Sequence, residues 1–201
     1  MIKNLIFDIG NVIIQELTVK VFDYLSESEQ EKLNKIVYYD KRFKEVLVGN
    51  MTSEEYKNQL IKENRKYEKE IKDLFDPDRQ DIFIPKDAQM ISLLYKIKDK
   101  YNIYFLSNMI DITYDYLRDF LTDFNGGTYS FIENERKPHK EFYLKLINKY
   151  ELNPSESIFF DDRLRNVLVA RDLGINAIEF KSIQDVLNII GEKIWNLDYQ
   201  S

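Results

Sequence analysis

The chain has 201 residues, of which 44% are hydrophobic and 32% are charged, as expected for a globular protein with one well-packed domain and a small insert. Its net charge of −6 disfavours binding to nucleic acid or to an anionic membrane surface. It contains no cysteine, which excludes disulfides, thiolate metal ligands and a cysteine nucleophile. No signal-peptide pattern and no apolar run of membrane-spanning length is present, so we expect a cytoplasmic protein.

A short apolar run at residues 5–14, rich in isoleucine and valine, predicts a buried parallel strand. The run contains one acid, Asp8, followed by Gly10 and Asn11. An acid is best accommodated at the C-terminal end of such a strand, because that end faces the ligand crevice in open parallel sheets. Gly10 would allow the chain to turn sharply around a bound group. A solvated acid beside a turn glycine is the alternative.

Residues 16–84 contain no strand-like run, and their apolar residues recur at helical spacing. Ser28 before Glu31 and Thr52 before Glu55 have the spacing of capping boxes, which predicts two helix starts. We therefore expect an all-helical insert of four or five short helices that ends near residue 84.

From residue 85 onward, predicted strands alternate with predicted helices. The strands are expected at 102–106, 128–132, 157–160 and 175–180, and the helices at 88–98, 112–121, 142–150, 167–173 and 183–190. This alternation predicts an α/β fold, a doubly wound parallel sheet of Rossmann-like type with right-handed crossovers. The predicted domains are a core of residues 1–15 and 85–201 and a helical insert of residues 16–84. Trp195 and Tyr199 are expected to pack the C-terminal tail.

Polar side chains follow three of these strands: Asp8 after the first, Ser107 and Asn108 after the second, and Asp161 and Asp162 after a later one. Like-charged carboxylates at one sheet edge are costly unless a cation lies among them. Hard oxygen ligands of this kind suit Mg²⁺, which also bridges to substrate phosphate. The Ser107 hydroxyl and the Asn108 amide are suitable donors to phosphate oxygens.

A lysine completes this inventory. Lys137 precedes Pro138, which biases it towards an extended backbone in a stiff loop. A carboxylate, a metal, two donors and a fixed cation are what phosphoryl transfer through an aspartyl-phosphate requires.

At these positions the chain resembles the haloacid dehalogenase-like (HAD) hydrolase superfamily. The four motifs that carry the resemblance appear in order: Phe7-Asp8-Ile9-Gly10-Asn11-Val12-Ile13, Leu106-Ser107-Asn108, Arg136-Lys137-Pro138, and Phe159-Phe160-Asp161-Asp162-Arg163 with Asn166. The helical insert resembles a C1-type cap, including its Gly-x-x-Thr-x-x-Glu turn at residues 49–55. Within the superfamily, the chain is most similar to the branch of bacterial glucose-1-phosphate phosphatases, which share the Asp-x-Gly-Asn form.

The resemblance implies a catalytic pair and a metal site. Asp8 would be the nucleophile, and Lys137 would steady both the nucleophile and the transferred group. Mg²⁺ would be held by Asp8, the backbone carbonyl of Gly10 and Asp162, with Asp161 reaching the metal directly or through water.

The resemblance also implies a substrate class, small phosphorylated metabolites that include sugar 1-phosphates. Ser107 and the Asn108 amide would bind the phosphoryl group. Gly10, Asn11 and Arg163 are further candidates for substrate binding. Arg163 could equally cap a helix, and the oligomeric state stays open.

One departure from the superfamily pattern concerns Gly10, where most of its phosphatases carry a second aspartate as general acid and base. Losing a positioned acid typically costs roughly 10²–10⁴-fold in rate. Three explanations are open. Another group or water protonates the leaving oxygen, or the leaving group departs readily without a proton, or the protein is a weak catalyst. Without a replacement acid, sugar 1-phosphates and aryl phosphates should react faster than sugar 6-phosphates. Asn166, where an aspartate is common, is expected to orient Lys137 or its own loop.

Three alternatives to a phosphatase stay open. A haloacid dehalogenase would keep Asp8, Ser107 and Lys137 without needing a metal, and the paired Asp161 and Asp162 argue against it. A phosphomutase normally needs the missing acid. A catalytically impaired binding or regulatory protein is the third, and the intact Asp8, Lys137 and Asp162 argue against that. The lone histidine, His139, is expected to be a solvated surface residue.

Overall fold

A parallel sheet of five strands forms the centre of the computed structural model, which describes residues 1–191. The strands are β1 (Asn4–Phe7), β2 (Asn102–Ser107), β3 (Gly126–Tyr129), β4 (Ser157–Asp161) and β5 (Asn176–Glu179), in the order β3-β2-β1-β4-β5. All neighbouring strands are parallel, which confirms the predicted α/β fold. The strand order reverses between β1 and β4, and ligands of open α/β sheets bind in the crevice at such a point. The predicted roles of Trp195 and Tyr199 lie outside the described residues.

Helices cover both faces of the sheet and also form the insert. They are α1 (Glu27–Tyr38), α2 (Phe43–Leu47), α3 (Ser53–Glu63), α4 (Glu68–Leu74), α5 (Gln80–Phe83), α6 (Ala88–Ile97), α7 (Asp111–Thr122), α8 (Ser130–Glu133), α9 (Lys140–Lys149), α10 (Leu164–Asp172) and α11 (Ile183–Ile190). Among residues 1–191, none is long and apolar enough to cross a bilayer.

The sheet is buried on both faces because successive strand residues point to opposite sides. Leu5 and Phe7 belong to one hydrophobic cluster, and Ile6 belongs to another on the opposite face. Phe7 stacks on Phe160 of the neighbouring strand, with ring centroids 5.0 Å apart. Two covered faces explain why these strands are apolar runs instead of alternating patterns.

The predicted first strand is shorter than its apolar run. It ends at Phe7, and residues 9–14 form turns in which the amides of Val12, Ile13 and Ile14 all donate to the carbonyl of Ile9. The run is apolar because these side chains are packed in the core, where Ile13 is fully buried, and not because the backbone is extended. A similar correction applies to 128–132, where the strand begins two residues earlier and the helix α8 follows it.

The insert has its own hydrophobic core. Five α-helices and three short 3₁₀ turns lie between residues 16 and 84, and the described part of this segment contains no strand. Its buried cluster is separate from the two clusters on the sheet, and Tyr56, Leu60 and Ile71 are fully buried within it. We call this all-helical insert the cap.

Two helices of the cap begin with capping boxes. Thr52 and Glu55 form the box at the start of α3, as predicted. The box at the start of α1 joins Ser26 and Glu29, so the prediction of Ser28 with Glu31 was wrong. Both pairs have the right spacing, but the extended backbone that an N-cap requires occurs at Ser26, while the later serine already lies in the helix.

The two chain segments that connect the cap to the sheet are hydrogen-bonded to each other. The amide of Gln15 donates to the carbonyl of Pro85 at 2.9 Å, and the amide of Leu17 donates to the carbonyl of Phe83 at 3.0 Å. We call residues 14–17 with 83–86 the paired linker. It fixes where the cap leaves the core.

A turn of the cap also packs directly on the core. Gly49 has a φ of 74°, and a Cβ atom at this position would overlap the backbone carbonyl oxygen of Phe131. Beside it, the side chain of Asn134 donates to the carbonyl of Val48 at 2.7 Å. The glycine is therefore required both for the turn and for the close approach.

Gly49→Ala should lower the free energy of unfolding more than Gly174→Ala. Gly174 has a φ of 80°, so both variants carry left-handed strain of about 1–2 kcal/mol. Only at Gly49 would the new methyl group also collide with backbone, because the nearest atom at Gly174 is Pro154 Cβ at 3.8 Å. Urea unfolding of both variants tests this, and equal losses would contradict the contact.

Candidate active site

A lysine side chain is buried between two carboxylates at the carboxyl end of the sheet. Lys137 Nζ lies 2.7 Å from Asp8 Oδ1 and 2.7 Å from Asp161 Oδ2. The lysine is only 1% exposed, and Asp161 is fully buried. Asp8 directly follows β1 and Asp161 ends β4, so the two acids come from the neighbouring strands at which the strand order reverses.

Asn108 holds the lysine loop in place. Its side-chain amide donates to the carbonyl of Lys137 at 3.0 Å, and its side-chain oxygen accepts from the amide of Lys137 at 2.8 Å. Asn108 comes directly after β2, so this pair of hydrogen bonds attaches the loop to the sheet. Sequence reasoning assigned only the backbone amide of Asn108 and missed the side-chain contact.

Asp161 is held by three further hydrogen bonds. The side-chain amide of Asn166 donates to both of its carboxylate oxygens, at 2.9 and 3.0 Å, and the backbone amide of Arg163 donates to Oδ1 at 2.9 Å. Asn166 therefore acts on Lys137 through Asp161, which is one of the two roles anticipated for it. With so many donors, the Asp161 carboxylate serves to position the lysine.

Asp8, Asp161 and Asp162 each offer one carboxylate oxygen to a common group, and these three oxygens lie within 4.8 Å of one another. Asp162 is half-buried and faces the cleft. Burial raises the pKa of Asp8 to about 7, the negative charge of Asp161 adds to this, and Lys137 opposes it. A divalent cation among these oxygens would relieve both causes of the increase, so the donor set fits Mg²⁺.

Asn11 connects two acids at the entrance of this group. It has a φ of 55°, its side-chain oxygen accepts from the amide of Glu16 at 3.2 Å, and its side-chain amide donates to Glu16 Oε2 at 3.4 Å and to Asp162 Oδ2 at 3.3 Å. The role of Asn11 in substrate binding stays a prediction. Glu16 was not among the predicted site residues.

Glu16 lies beside the missing acid position. A Cβ atom built on Gly10 would be 2.5 Å from Glu16 Oε1. Although Glu16 is exposed as a residue, desolvation of its carboxylate in the cleft raises its pKa; Arg163 opposes this and Asp162 adds to it. The absence of an acid at Gly10, combined with an acid six residues later, was the signal in the sequence that could have found it.

A small cleft collects most of these groups. It is lined by Asp8, Gly10, Glu16, Asn108, Lys137, Asp162, Arg163 and Asn166. Ser107 ends β2 and is 1% exposed, outside that lining, so its role as a phosphate donor stays a prediction. His139 lies on the surface, where its Nδ1 is 2.6 Å from a carboxylate oxygen of Glu135.

Comparison with known proteins identifies the family. Residues 2–174 match the model of the haloacid dehalogenase-like hydrolases. The chain belongs to this hydrolase family. The predicted superfamily is thereby confirmed, and the helical cap is consistent with it.

Individual HAD relatives differ in how much of the chain they match. D-ribitol-5-phosphate phosphatase of Bacteroides thetaiotaomicron is 23% identical over 193 residues, which cover 89% of this chain and 92% of that protein. Sesquiterpene phosphatase astK of Aspergillus oryzae is 33% identical over 93 residues, 44% of this chain and 47% of that protein, so less than half of its length is matched.

The fold recurs in solved structures. A HAD family enzyme from Bacteroides thetaiotaomicron, in complex with magnesium and inorganic phosphate, superimposes with a TM-score of 0.75 at 24% identity. The match covers 95% of this chain and all of that one.

In metal-free buffer, raising the pH from about 5 to about 8 should destabilise the wild type more than Asp8→Asn. Because the pKa of Asp8 is about 7 in the folded state, against an ordinary value of 3.8 for an unfolded chain, the folded protein binds more protons over this range. The stability that Asp8 contributes is therefore fully present below its unfolded pKa of 3.8, and it is lost as the pH rises through its folded pKa of about 7. Each kcal/mol lost should lower the Tm by roughly 2–4 °C. Thermal melts in chelator, with the exposed Asp119→Asn as control, check this; identical pH dependence in all three proteins would contradict it.

Lys137→Met should destabilise the metal-free protein by about 3–5 kcal/mol, because it leaves two buried carboxylates without their shared cation. Lys149→Met, at a half-exposed lysine 3.9 Å from Glu133, should cost less than about 0.5 kcal/mol. Urea unfolding measures both values. A similar small cost for the two variants would mean that the buried ion pair does not support the fold.

Proposed function

We propose that this chain is a Mg²⁺-dependent phosphatase that hydrolyses small phosphorylated metabolites through an aspartyl-phosphate on Asp8. The observation that carries this proposal is the contact of Asp8 with the buried Lys137, beside Asp162 in one cleft. The names of two relatives support it, since both are phosphatases, one of a phosphorylated sugar alcohol.

The residues of this chain supply most of the chemistry. The Asp8 carboxylate attacks phosphorus, the ester P–O bond breaks, and the leaving oxygen takes up a proton. Water then releases phosphate and restores the carboxylate. Lys137 keeps its positive charge within hydrogen-bond distance of Asp8, which offsets the negative charge that accumulates during both steps.

Mg²⁺, when bound, would supply positive charge to the transferred phosphoryl group. Asp8, the Gly10 carbonyl and Asp162 are the groups that would hold it, with Asp161 contributing directly or through water. The magnesium in the related HAD structure from Bacteroides thetaiotaomicron supports this choice of ion.

For the substrate, we propose a small phosphorylated sugar or similar metabolite, with sugar 1-phosphates as the first candidates from the resemblance to the glucose-1-phosphate phosphatase branch. Ser107, the Asn108 amide, Asn11 and Arg163 would contact its phosphoryl group or the adjoining atoms. The cap would cover the cleft and exclude water. The net charge of −6 argues against nucleic acid or a membrane as partner.

A dehalogenase is the main alternative for this constellation. It would use Asp8 and Lys137 without a metal, and the group of three carboxylates gives no advantage to such an enzyme. A catalytically impaired binding protein would have no need to keep a nucleophile and a lysine at 2.7 Å.

A screen of phosphorylated metabolites tests the proposal. Phosphate release should require Mg²⁺, should disappear in chelator, and should be abolished by Asp8→Asn while the variant still unfolds cooperatively. Asp119→Asn, at an exposed acid, should retain full activity. Full turnover in chelator, or substantial turnover by Asp8→Asn, would rule out the proposed phosphatase.

A further inference from the structure

The carboxylate of Glu16 occupies the space that a side chain at position 10 would fill. An ideal Cβ on Gly10 would lie 2.5 Å from Glu16 Oε1 and 3.2 Å from its Cδ. The two residues line the same cleft as Asp8 and Lys137. Because position 10 is a glycine, the space beside its Cα is free of a side chain of its own. The carboxylate of Glu16 lies in that space.

Hydrogen bonds hold both the side chain and the backbone of Glu16. Asn11 accepts a hydrogen bond from the Glu16 backbone and donates one to its side chain. Gln15 and Leu17, which flank Glu16, are hydrogen-bonded to the other segment of the paired linker. The backbone of Glu16 is therefore fixed relative to the loop that carries Asp8.

The other acids of the cleft already have roles. Asp8 is the nucleophile, Asp162 faces the metal position, and Asp161 accepts hydrogen bonds from Lys137 and Asn166. Among the residues described, Glu16 is the acid that lines the cleft without such a role.

We propose that Glu16 is the general acid and base of the reaction, in place of an acid at position 10. This inference rests on the proposed phosphatase function. In the first step the Asp8–P bond forms, the P–O bond to the leaving group breaks, and its electron pair takes the proton from Glu16. In the second step Glu16 accepts a proton from the attacking water, the new P–O bond forms, and the bond to Asp8 breaks. The proton that Glu16 gives up is thereby restored.

The test compares a primary alkyl phosphate with p-nitrophenyl phosphate in wild type and Glu16→Gln. Loss of the acid should lower kcat/KM for the alkyl ester by about 10²–10⁴-fold, because an alkoxide leaves poorly without a proton. For the aryl ester the loss should be less than about tenfold, since nitrophenolate needs no proton to leave. Glu27→Gln, at an exposed glutamate of the cap, is the matched control and should change neither value. Equal losses on both substrates, or none on the alkyl ester, would overturn the proposal.

A second readout follows the phosphoenzyme. With its base removed, Glu16→Gln should accumulate one phosphoryl group on Asp8 during turnover of the aryl ester, seen by intact-mass spectrometry after acid quench, whereas wild type should not. The increase in Tm on titration with Mg²⁺ should have the same midpoint in both proteins. No accumulation, or a midpoint weakened as much as the activity, would mean that Glu16 holds metal or structure instead of a proton.

A rescue variant tests the same proposal without relying on how the glutamine of Glu16→Gln packs in the cleft. Gly10→Asp in a Glu16→Ala background should regain at least tenfold of the lost activity on the alkyl ester, because the alanine clears the space that the new side chain needs. No gain over Glu16→Ala alone would overturn the proposal. Failure of the phosphatase function itself is distinguished by the wild type, which would then turn over neither ester.

Discussion

The buried ammonium of Lys137 is the interaction on which the rest of the site depends. One positive charge lies between the carboxylates of Asp8 and Asp161 in a place with little access to water, and its attraction to both acids offsets the cost of burying them there. Around it, Asn108 fixes the lysine backbone and Asn166 fixes Asp161. The group still carries more negative than positive charge. A divalent cation would neutralise this excess negative charge. The lysine and a metal are therefore complementary parts of one site.

The sheet and the cap contribute different things to this site. Reversal of strand order between β1 and β4 separates the loops that follow them, so the acids at these strand ends border a crevice instead of packed backbone. The cap has a hydrophobic core of its own, in which Tyr56 and Ile71 are buried. It is attached to the sheet domain by the paired linker, by the contact of Gly49 with Phe131, and by the amide of Ser53, which donates to the carboxylate of Asp111.

Most of what the sequence predicted correctly depends on short-range patterns. Apolar runs located the strands, and polar residues at their ends located Asp8, Asn108 and Asp161, because parallel strands bring their carboxyl ends to one edge. The extent of the first strand was missed because burial makes residues 9–14 as apolar as a strand. The hydrogen bonds of the Asn108 side chain to Lys137 depend on how two loops meet in space, which spacing along the chain does not encode. For Glu16 the sequence offered a signal, an acid six residues after the acid-free position 10, but not the approach of its carboxylate to Gly10.

The location of Glu16 has a consequence for how the cap and the chemistry are connected. An acid at position 10 would belong to the loop after β1, whereas Glu16 belongs to the linker that leads into the cap. In the cap, the pKa of Tyr38 in α1 is raised, mainly by burial and also by the negative charge of Glu16. The same carboxylate therefore interacts electrostatically with a residue of the cap. If Glu16 carries the proton, a displacement of the linker or of α1 alters proton transfer as well as substrate access. The proton donor then belongs to the linker that leads into the cap, whereas the nucleophile and the lysine belong to the loops that follow the strands of the sheet.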